Sequence, residues 1–225
     1  MPSKSRLPQP QYLQSIVEWR YERSHRYWDD CGKLIGAIER AFHGLKCDRL
    51  DADGFKFVGE SRGLVSASFY WDKSTAVQAS SDIATLPDAS ESYWNTIREG
   101  LSVDAPNWVG HRTWILYETA TLADALTWLD NFGLWDFGGH SGLGLGVPRN
   151  AGSVLRTQLE NDGRRIRLGM DGGTINRKGR EQFGVLVDVD IVVQPPVKIP
   201  TSFRDFVASN VRFLREKVEP VFRSR

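Results

Sequence analysis

The sequence has few of the features that most directly indicate a function, such as cysteine motifs, long apolar runs or an excess of one charge. It contains two cysteines, Cys31 and Cys47, and no Cys-x-x-Cys pair, which argues against a structural zinc site and a disulfide framework. It has no apolar run of about 18 residues, and its polar, proline-containing N-terminus has no apolar core. We therefore expect a cytoplasmic protein without a membrane span or a signal peptide.

An excess of charge of one sign is also missing. The 29 Lys and Arg residues nearly balance the 28 Asp and Glu residues, so the formal net charge is +1. Proteins that coat nucleic acid over much of their surface carry a large positive excess. The composition therefore disfavours that class and leaves only a local basic patch compatible with nucleic acid.

Several segments of the first half have the period of regular structure. Trp28 begins an apolar stripe at helical spacing, and Asp88 and Glu91 have the spacing of a capping box for a second helix. The predicted elements, in chain order, are a strand over 15–22, a helix over 27–43, strands over 55–59, 64–71 and 75–80, and a helix from about 88.

The second half has a similar order of signals. Asn161-Asp162-Gly163 predicts a hairpin, and the segment DGGTINRKGRE after its second strand predicts a turn. The predicted elements are a strand over 111–119, a helix opened by Thr121 and Asp124, strands over 154–160, 164–170 and 183–193, and a helix opened by Ser202 and Asp205.

Each half is therefore predicted to run strand, helix, three strands, helix. Because hairpins dominate the connections, we expect an α+β protein with a mainly antiparallel sheet and helices on one face. Residues 1–11 are predicted to be a disordered tail, and 12–225 a single domain of two similar halves, 12–105 and 106–225. The layout resembles the TATA-binding-protein-like fold or tandem ferredoxin-like units.

The segment GGHSGLGLGVPRN (138–150) concentrates glycine around one histidine. It lacks the Gly-x-Gly-x-x-Gly spacing of a dinucleotide loop and the Lys-Ser/Thr pair of a P-loop. We interpret it as a flexible crossover, although a loop that orders around a partner or an RNA strand has the same composition. Its residues of interest are Gly139, His140, Gly142, Gly144 and Gly146.

Two residue sets are candidates for catalysis or metal binding. His111-Arg112-Thr113 matches half of the pattern of two-histidine phosphoesterases, and His140-Ser141-Gly142 lacks the hydroxyl that the second half requires. Asp188 and Asp190 share one face of a strand and could hold a divalent metal, but no third ligand is evident. We therefore expect no metal, no cofactor and no assembled catalytic centre.

A basic cluster is the strongest candidate for a binding site. Arg165 and Arg167 should project to the same side of a strand, and a turn follows with further cations. Arginine-rich hairpins engage phosphate backbones or acidic protein surfaces. The cluster comprises Arg164, Arg165, Arg167, Arg177, Lys178 and Arg180.

The segment VLVDVDIVV, a proline-containing spacer and then SFRDFVASNVRFLREKVEPVFRS form the end of the chain. With SIVEWRYE and GHRTWILYE, they resemble the pattern of an uncharacterised, sporadically distributed prokaryotic protein family of about 250 residues. Members of that family occur near mobile elements and defence genes. The resemblance implies no activity and no functional residues.

The combined observations predict a non-enzymatic binding or adaptor subunit, and the family resemblance implies that its assembly is prokaryotic and associated with antiviral defence or mobile elements. It would bind a protein partner through the open face of the sheet or the basic cluster. Two alternatives stay open. One is RNA or DNA binding through the basic cluster, and the other is a nuclease or phosphoesterase that uses His111 or His140.

Overall fold

The computed structural model describes residues 9–51, 53–79, 82–131, 155–161, 163–177 and 179–223. The strands are β1 (Gln11–Arg20), β2 (Leu45–Asp51), β3 (Gly54–Ser61), β4 (Leu64–Tyr70), β5 (Lys73–Gln78), β6 (Trp108–Thr119), β7 (Leu155–Asn161), β8 (Arg164–Arg177) and β9 (Arg180–Val193). The helices are α1 (Arg26–Ala41), α2 (Leu86–Leu101), α3 (Leu122–Asn131), α4 (Phe203–Phe213) and α5 (Glu219–Arg223), with a π-helical turn, Leu214–Val218, before α5.

One sheet contains all nine described strands, in the order β2-β3-β4-β5-β1-β6-β9-β8-β7. Every neighbouring pair is antiparallel, and β1 and β6 pair near the centre. The prediction of an α+β protein with an antiparallel sheet is thus confirmed.

The helices pack on one face of the sheet, which we call the inner face. Trp19 on β1 is fully buried there, stacked on Trp94 of α2 at 5.8 Å and edge-on to Phe203 of α4 at 6.0 Å. On β6, Tyr117 stacks on Phe222 of α5 at 5.1 Å. Burial of these large aromatic side chains supplies much of the hydrophobic driving force for folding.

Several local predictions are confirmed. Asp124 and Thr121 cap α3 reciprocally, with the Asp124 amide donating to Thr121 Oγ1 at 3.1 Å and the Thr121 amide donating to Asp124 Oδ2 at 3.0 Å. The Asp205 amide donates to Ser202 Oγ at the start of α4. The hairpin before Arg164 also forms, because β7 pairs with β8 on either side of Gly163.

The first half contains one strand more than predicted, since β2 also lies between α1 and β3. Its sequence, LKCDRLD, is rich in charge, and a register shift between Cys47 and Arg49 interrupts its alternation. Charges and bulges are characteristic of edge strands, where they discourage pairing with other chains. The order strand, helix, three strands, helix is therefore wrong for the first half.

Three further predictions are wrong. The segment 171–177 of the predicted turn continues β8, because β9 pairs with it along its whole length. Glu91 does not cap its own helix but accepts from the amides of Phe203 and Arg204 at 2.7 and 2.8 Å, and so caps α4. Trp28 is 61% exposed, and its neighbour Tyr27 enters the core instead.

Residues 1–8 of the predicted tail lie outside the described residues, and Gln11 is already part of β1.

Candidate functional site

The surface opposite the inner face carries alternate residues of the same strands, and we call it the open face. The aromatic contacts between the described helices and the sheet all involve inner-face residues. On the two central strands the open face is formed by Ile16, Glu18, Arg20, Trp108, Gly110, Arg112 and Trp114.

Arg112 lies on the open face of β6, one of the two central strands. Its guanidinium donates to both carboxylate oxygens of Asp188 on β9, from Nε at 2.9 Å and from Nη2 at 2.6 Å. It also lies over the indole ring of Trp114, at 5.1 Å from the ring centroid. The ion pair with Asp188 raises the pKa of Arg112. A guanidinium held by a bidentate pair and an aromatic ring has a defined orientation.

A second ion pair lies beside the first. Arg167 on β8 approaches Asp190 at 3.9 Å, and Asp190 is directly opposite Arg112 in the strand register. Partial burial raises the pKa of Asp190, although Arg112 and Arg167 oppose that shift. Asp188 and Asp190 therefore face arginines, and the described residues contain no group of three potential metal ligands.

A second aromatic ring on the open face, that of Trp108, lies against a cation. The Arg20 guanidinium lies 4.5 Å from the centroid of Trp108 and donates to Glu18 at 2.7 Å. The Trp108 indole covers the backbone of Gly110, because a Cβ atom there would come within 2.4 Å of the ring. The missing side chain leaves room for the indole to approach the backbone of the strand.

The same arrangement recurs on the other side of β1. Lys73 on β5 places its ammonium 4.9 Å from the centroid of Tyr70 on β4. The Tyr70 ring covers Gly54 of β3, where a Cβ atom would come within 2.1 Å of the ring. Each cation–π pair contributes about 0.5–1 kcal/mol at an exposed site.

The structure divides the predicted basic cluster. Arg165 and Arg167 share the open face, as expected, because they pair with Val192 and Asp190 of β9. Arg164 lies on the inner side and donates to Ser209 and Asn210 of α4, at 3.1 Å each. Its guanidinium therefore helps to hold α4 against the sheet.

The other members lie at the far end of the hairpin. Arg177 and Arg180 pair across the turn between β8 and β9. Arg177 is about 33 Å from Arg167 along the strand, at about 3.3 Å per residue. Lys178 lies outside the described residues. The described cations thus do not form one compact patch.

Of the two histidine candidates, His111 lies among the described residues and His140 does not. His111 is 1% exposed on the inner face, and its Nε2 lies 3.1 Å from Thr113 Oγ1, which in turn lies 3.1 Å from Ser15 Oγ. Burial lowers the pKa of His111 to about 4. The His111 side chain is thus enclosed in the core, away from the protein surface.

His140 and the glycine-rich segment, with Gly139, Gly142, Gly144 and Gly146, lie outside the described residues. The two cysteines, Cys31 and Cys47, are both half-buried and free.

Sequence reasoning missed the centre of the open face. The sequence patterns do not indicate Arg20, Trp108, Arg112 or Trp114 as site residues, because the cations are concentrated in the β7–β8–β9 segment. The signal was nevertheless present in HRTWILYET, whose alternation puts Arg112 and Trp114 on one side and His111 on the other.

Comparison with known proteins adds no assignment: no protein-family model matches the chain, and no curated protein matches it. Among the described residues, none of the helices has the length and apolar character needed to cross a membrane.

Proposed function

We propose that the chain is a non-enzymatic adaptor that binds a protein partner through the open face of its sheet. The observation that carries this proposal is the set of three cation–aromatic pairs on that face, formed by Arg20 with Trp108, Arg112 with Trp114 and Lys73 with Tyr70. Tryptophan, tyrosine and arginine are the residue types most enriched at the energetic centres of protein interfaces.

The charge of this surface also favours a protein partner. Arg20, Arg112 and Arg167 each approach a carboxylate on the open face, so their charges are largely balanced. A nucleic-acid surface needs cations available to phosphates and aromatic faces available to bases. Here cations already lie over the rings, which leaves less room for base stacking.

The order of strands supports a doubled architecture, which we include in the proposal. The first strands of the two halves, β1 and β6, pair at the centre of the sheet, and each also pairs with the last strand of its own half. Two similar halves, as in the TATA-binding-protein-like fold, would produce this order. Such a sheet offers one wide contact surface. The resemblance to a prokaryotic family found near defence genes and mobile elements supports an assembly of that kind.

Nucleic-acid binding is the second candidate. Arg165 and Arg167 lie side by side on the open face, and Arg165 faces a neutral group, the side-chain amide of Gln194, at 3.2 Å. This pair could contact a phosphate backbone at the β8 side of the sheet.

Site-specific photo-crosslinking in the native host tests the proposal. A photoreactive amino acid replaces Val58, which is 36% exposed on the open face of β3, or Val221, which is 41% exposed on α5. We expect a protein adduct of defined mass from position 58 and none of that mass from position 221. The adduct should be lost when Arg112→Glu is added, because the change places a carboxylate beside Asp188.

Nuclease digestion and peptide mass spectrometry identify the partner class. An adduct at position 58 that nuclease spares and that contains peptides of a second protein agrees with the proposal. An adduct that nuclease removes, or the same adduct with and without Arg112→Glu, contradicts it. Circular dichroism of the purified Arg112→Glu variant checks that the loss does not come from unfolding.

A further inference from the structure

We infer that the partner presents an acidic segment to the part of the open face formed by Lys56, Tyr70 and Lys73, which we call the lysine strip. This inference rests on the proposed function, and it adds the chemistry of the partner. The strip belongs to the first half of the chain and lies on β3, β4 and β5.

The position of the two lysines follows from strand alternation. Phe57 is fully buried on the inner face, so its neighbour Lys56 projects from the open face and is exposed. Ser74 is likewise buried, and Lys73 projects outward. Lys56 lies on β3 and Lys73 on β5, with β4 between these strands. The two strands therefore lie about 10 Å apart, which is two strand spacings. A short segment of a partner can therefore contact both ammonium groups.

These lysines differ from the arginines of the open face. Neither Lys56 nor Lys73 has an ion pair among the described residues, whereas Arg20, Arg112 and Arg167 all do. Lys46 at the edge of the sheet lies 3.5 Å from Glu39 of α1. The lysine strip is thus a part of the open face whose ammonium groups form no ion pair with a carboxylate of the described residues.

The surroundings of the lysines favour a peptide over a nucleic acid. Between them, Ser68 and Thr75 hydrogen-bond to each other at 2.7 Å, which uses part of their capacity to bind a ligand. The Tyr70 ring covers Gly54, and the Lys73 ammonium lies against the same ring. A base that stacked on Tyr70 would therefore have to displace that ammonium. Carboxylates of a peptide need only approach the ammonium groups from above.

The test uses short synthetic probes and the full-length chain. The probes are a peptide of alternating glutamate and serine, the same peptide with glutamine in place of glutamate, and oligouridylate of similar length. Binding is followed through amide shifts in nuclear magnetic resonance spectra. We expect the glutamate peptide alone to shift amides of β3–β5, with an affinity that falls as salt is raised.

A charge-reversed variant and a matched control complete the test. Lys56→Glu with Lys73→Glu should weaken binding of the glutamate peptide by about tenfold or more, because like charges then face each other. Lys198→Glu with Lys217→Glu makes the same change in net charge at two exposed positions off the strip, and should change the affinity less than about twofold.

The outcomes separate this inference from the proposed function. Equal binding of the glutamate peptide to both double variants, or binding of oligouridylate in its place, overturns the inference. A further outcome is a crosslink from position 58 that persists in the Lys56→Glu, Lys73→Glu chain and is abolished by Arg112→Glu. That result would support the adaptor function and contradict the inference that the partner presents an acidic segment. Lys56→Gln with Lys73→Gln, which should give an intermediate loss, guards against misfolding of the charge-reversed chain.

Discussion

The two faces of the sheet use neighbouring residues of the same strands for different purposes. On β6, His111 and Thr113 are buried on the inner face, whereas Arg112 and Trp114 lie on the open face. On β9, Val187 and Val189 are buried, and Asp188 between them binds Arg112. Inner-face residues contact helices, and open-face residues contact one another across strands.

Under the proposed function, this difference separates stability from recognition within one sheet. Burial of apolar area on the inner face contributes most of the free energy of folding. Exposed ion pairs and cation–π pairs on the open face contribute about 0–1 kcal/mol each. Substitutions on the open face should therefore have little effect on stability and should alter the proposed binding, and those on the inner face should do the reverse.

The largest effect is expected from Trp19→Ala on the inner face. The change removes a fully buried indole that contacts Tyr93, Trp94 and Phe203, and it leaves a cavity. The free energy of unfolding in urea should fall by about 3–5 kcal/mol. Trp19→Phe keeps an aromatic ring and should lose less, which preserves the comparison if the alanine variant does not fold. A loss no larger than that of an open-face substitution would contradict the distinction between the faces.

His111 should make stability depend on pH. Burial lowers its pKa from 6.5 to about 4, so between these values the unfolded chain binds a proton that the folded chain does not. The free energy of unfolding is therefore unaffected by His111 protonation above pH 6.5 and falls as the pH is lowered toward 4. The total loss is about 3 kcal/mol, at about 1.36 kcal/mol per pKa unit.

The variant His111→Gln isolates that contribution, because its amide does not titrate. The free energy of unfolding of the variant, measured by urea denaturation across this pH range, should vary less with pH than that of the wild type. Parallel pH profiles for the two chains would show that His111 is not the buried base described here. Carboxylates such as Asp190 titrate in both chains and cancel in the difference.

The smallest effect is expected from Asp188→Asn on the open face. Both partners are partly exposed, with 48% of the Arg112 side chain and 31% of the Asp188 side chain accessible to solvent. Loss of the ion pair should therefore cost less than about 1 kcal/mol in the free energy of unfolding. A loss as large as that of Trp19→Ala in the same urea titration would mean that the open face also stabilises the fold.

Local patterns were sufficient to predict most elements. The Thr121–Asp124 and Ser202–Asp205 caps depend on residues three apart, and the alternation of β9 is evident from its sequence. Glu91 has the same spacing from Asp88, yet it caps α4, because the N-terminus of that helix lies against α2. Such a contact joins residues more than a hundred positions apart, so no short window of sequence contains it.

The candidate site was less predictable than the fold. Strand alternation predicted that Arg165 and Arg167 share one face of the sheet, but Arg164 contacts α4 from the opposite side of the same strand. The pairs of Arg112 with Asp188 and of Arg167 with Asp190 depend on the register of β6, β8 and β9. A shift of one residue in that register would bring a different set of charges together.

Taken alone, the order of residues determined the periods of helices and strands, several caps, the hairpin at Gly163 and the alternation that divides β9 into two faces. Only the tertiary structure decided that β1 and β6 meet at the centre and that three cations lie over aromatic rings on the open face. The physical reason is range: hydrophobic period and capping act within a few residues, whereas strand order and register depend on packing between distant segments.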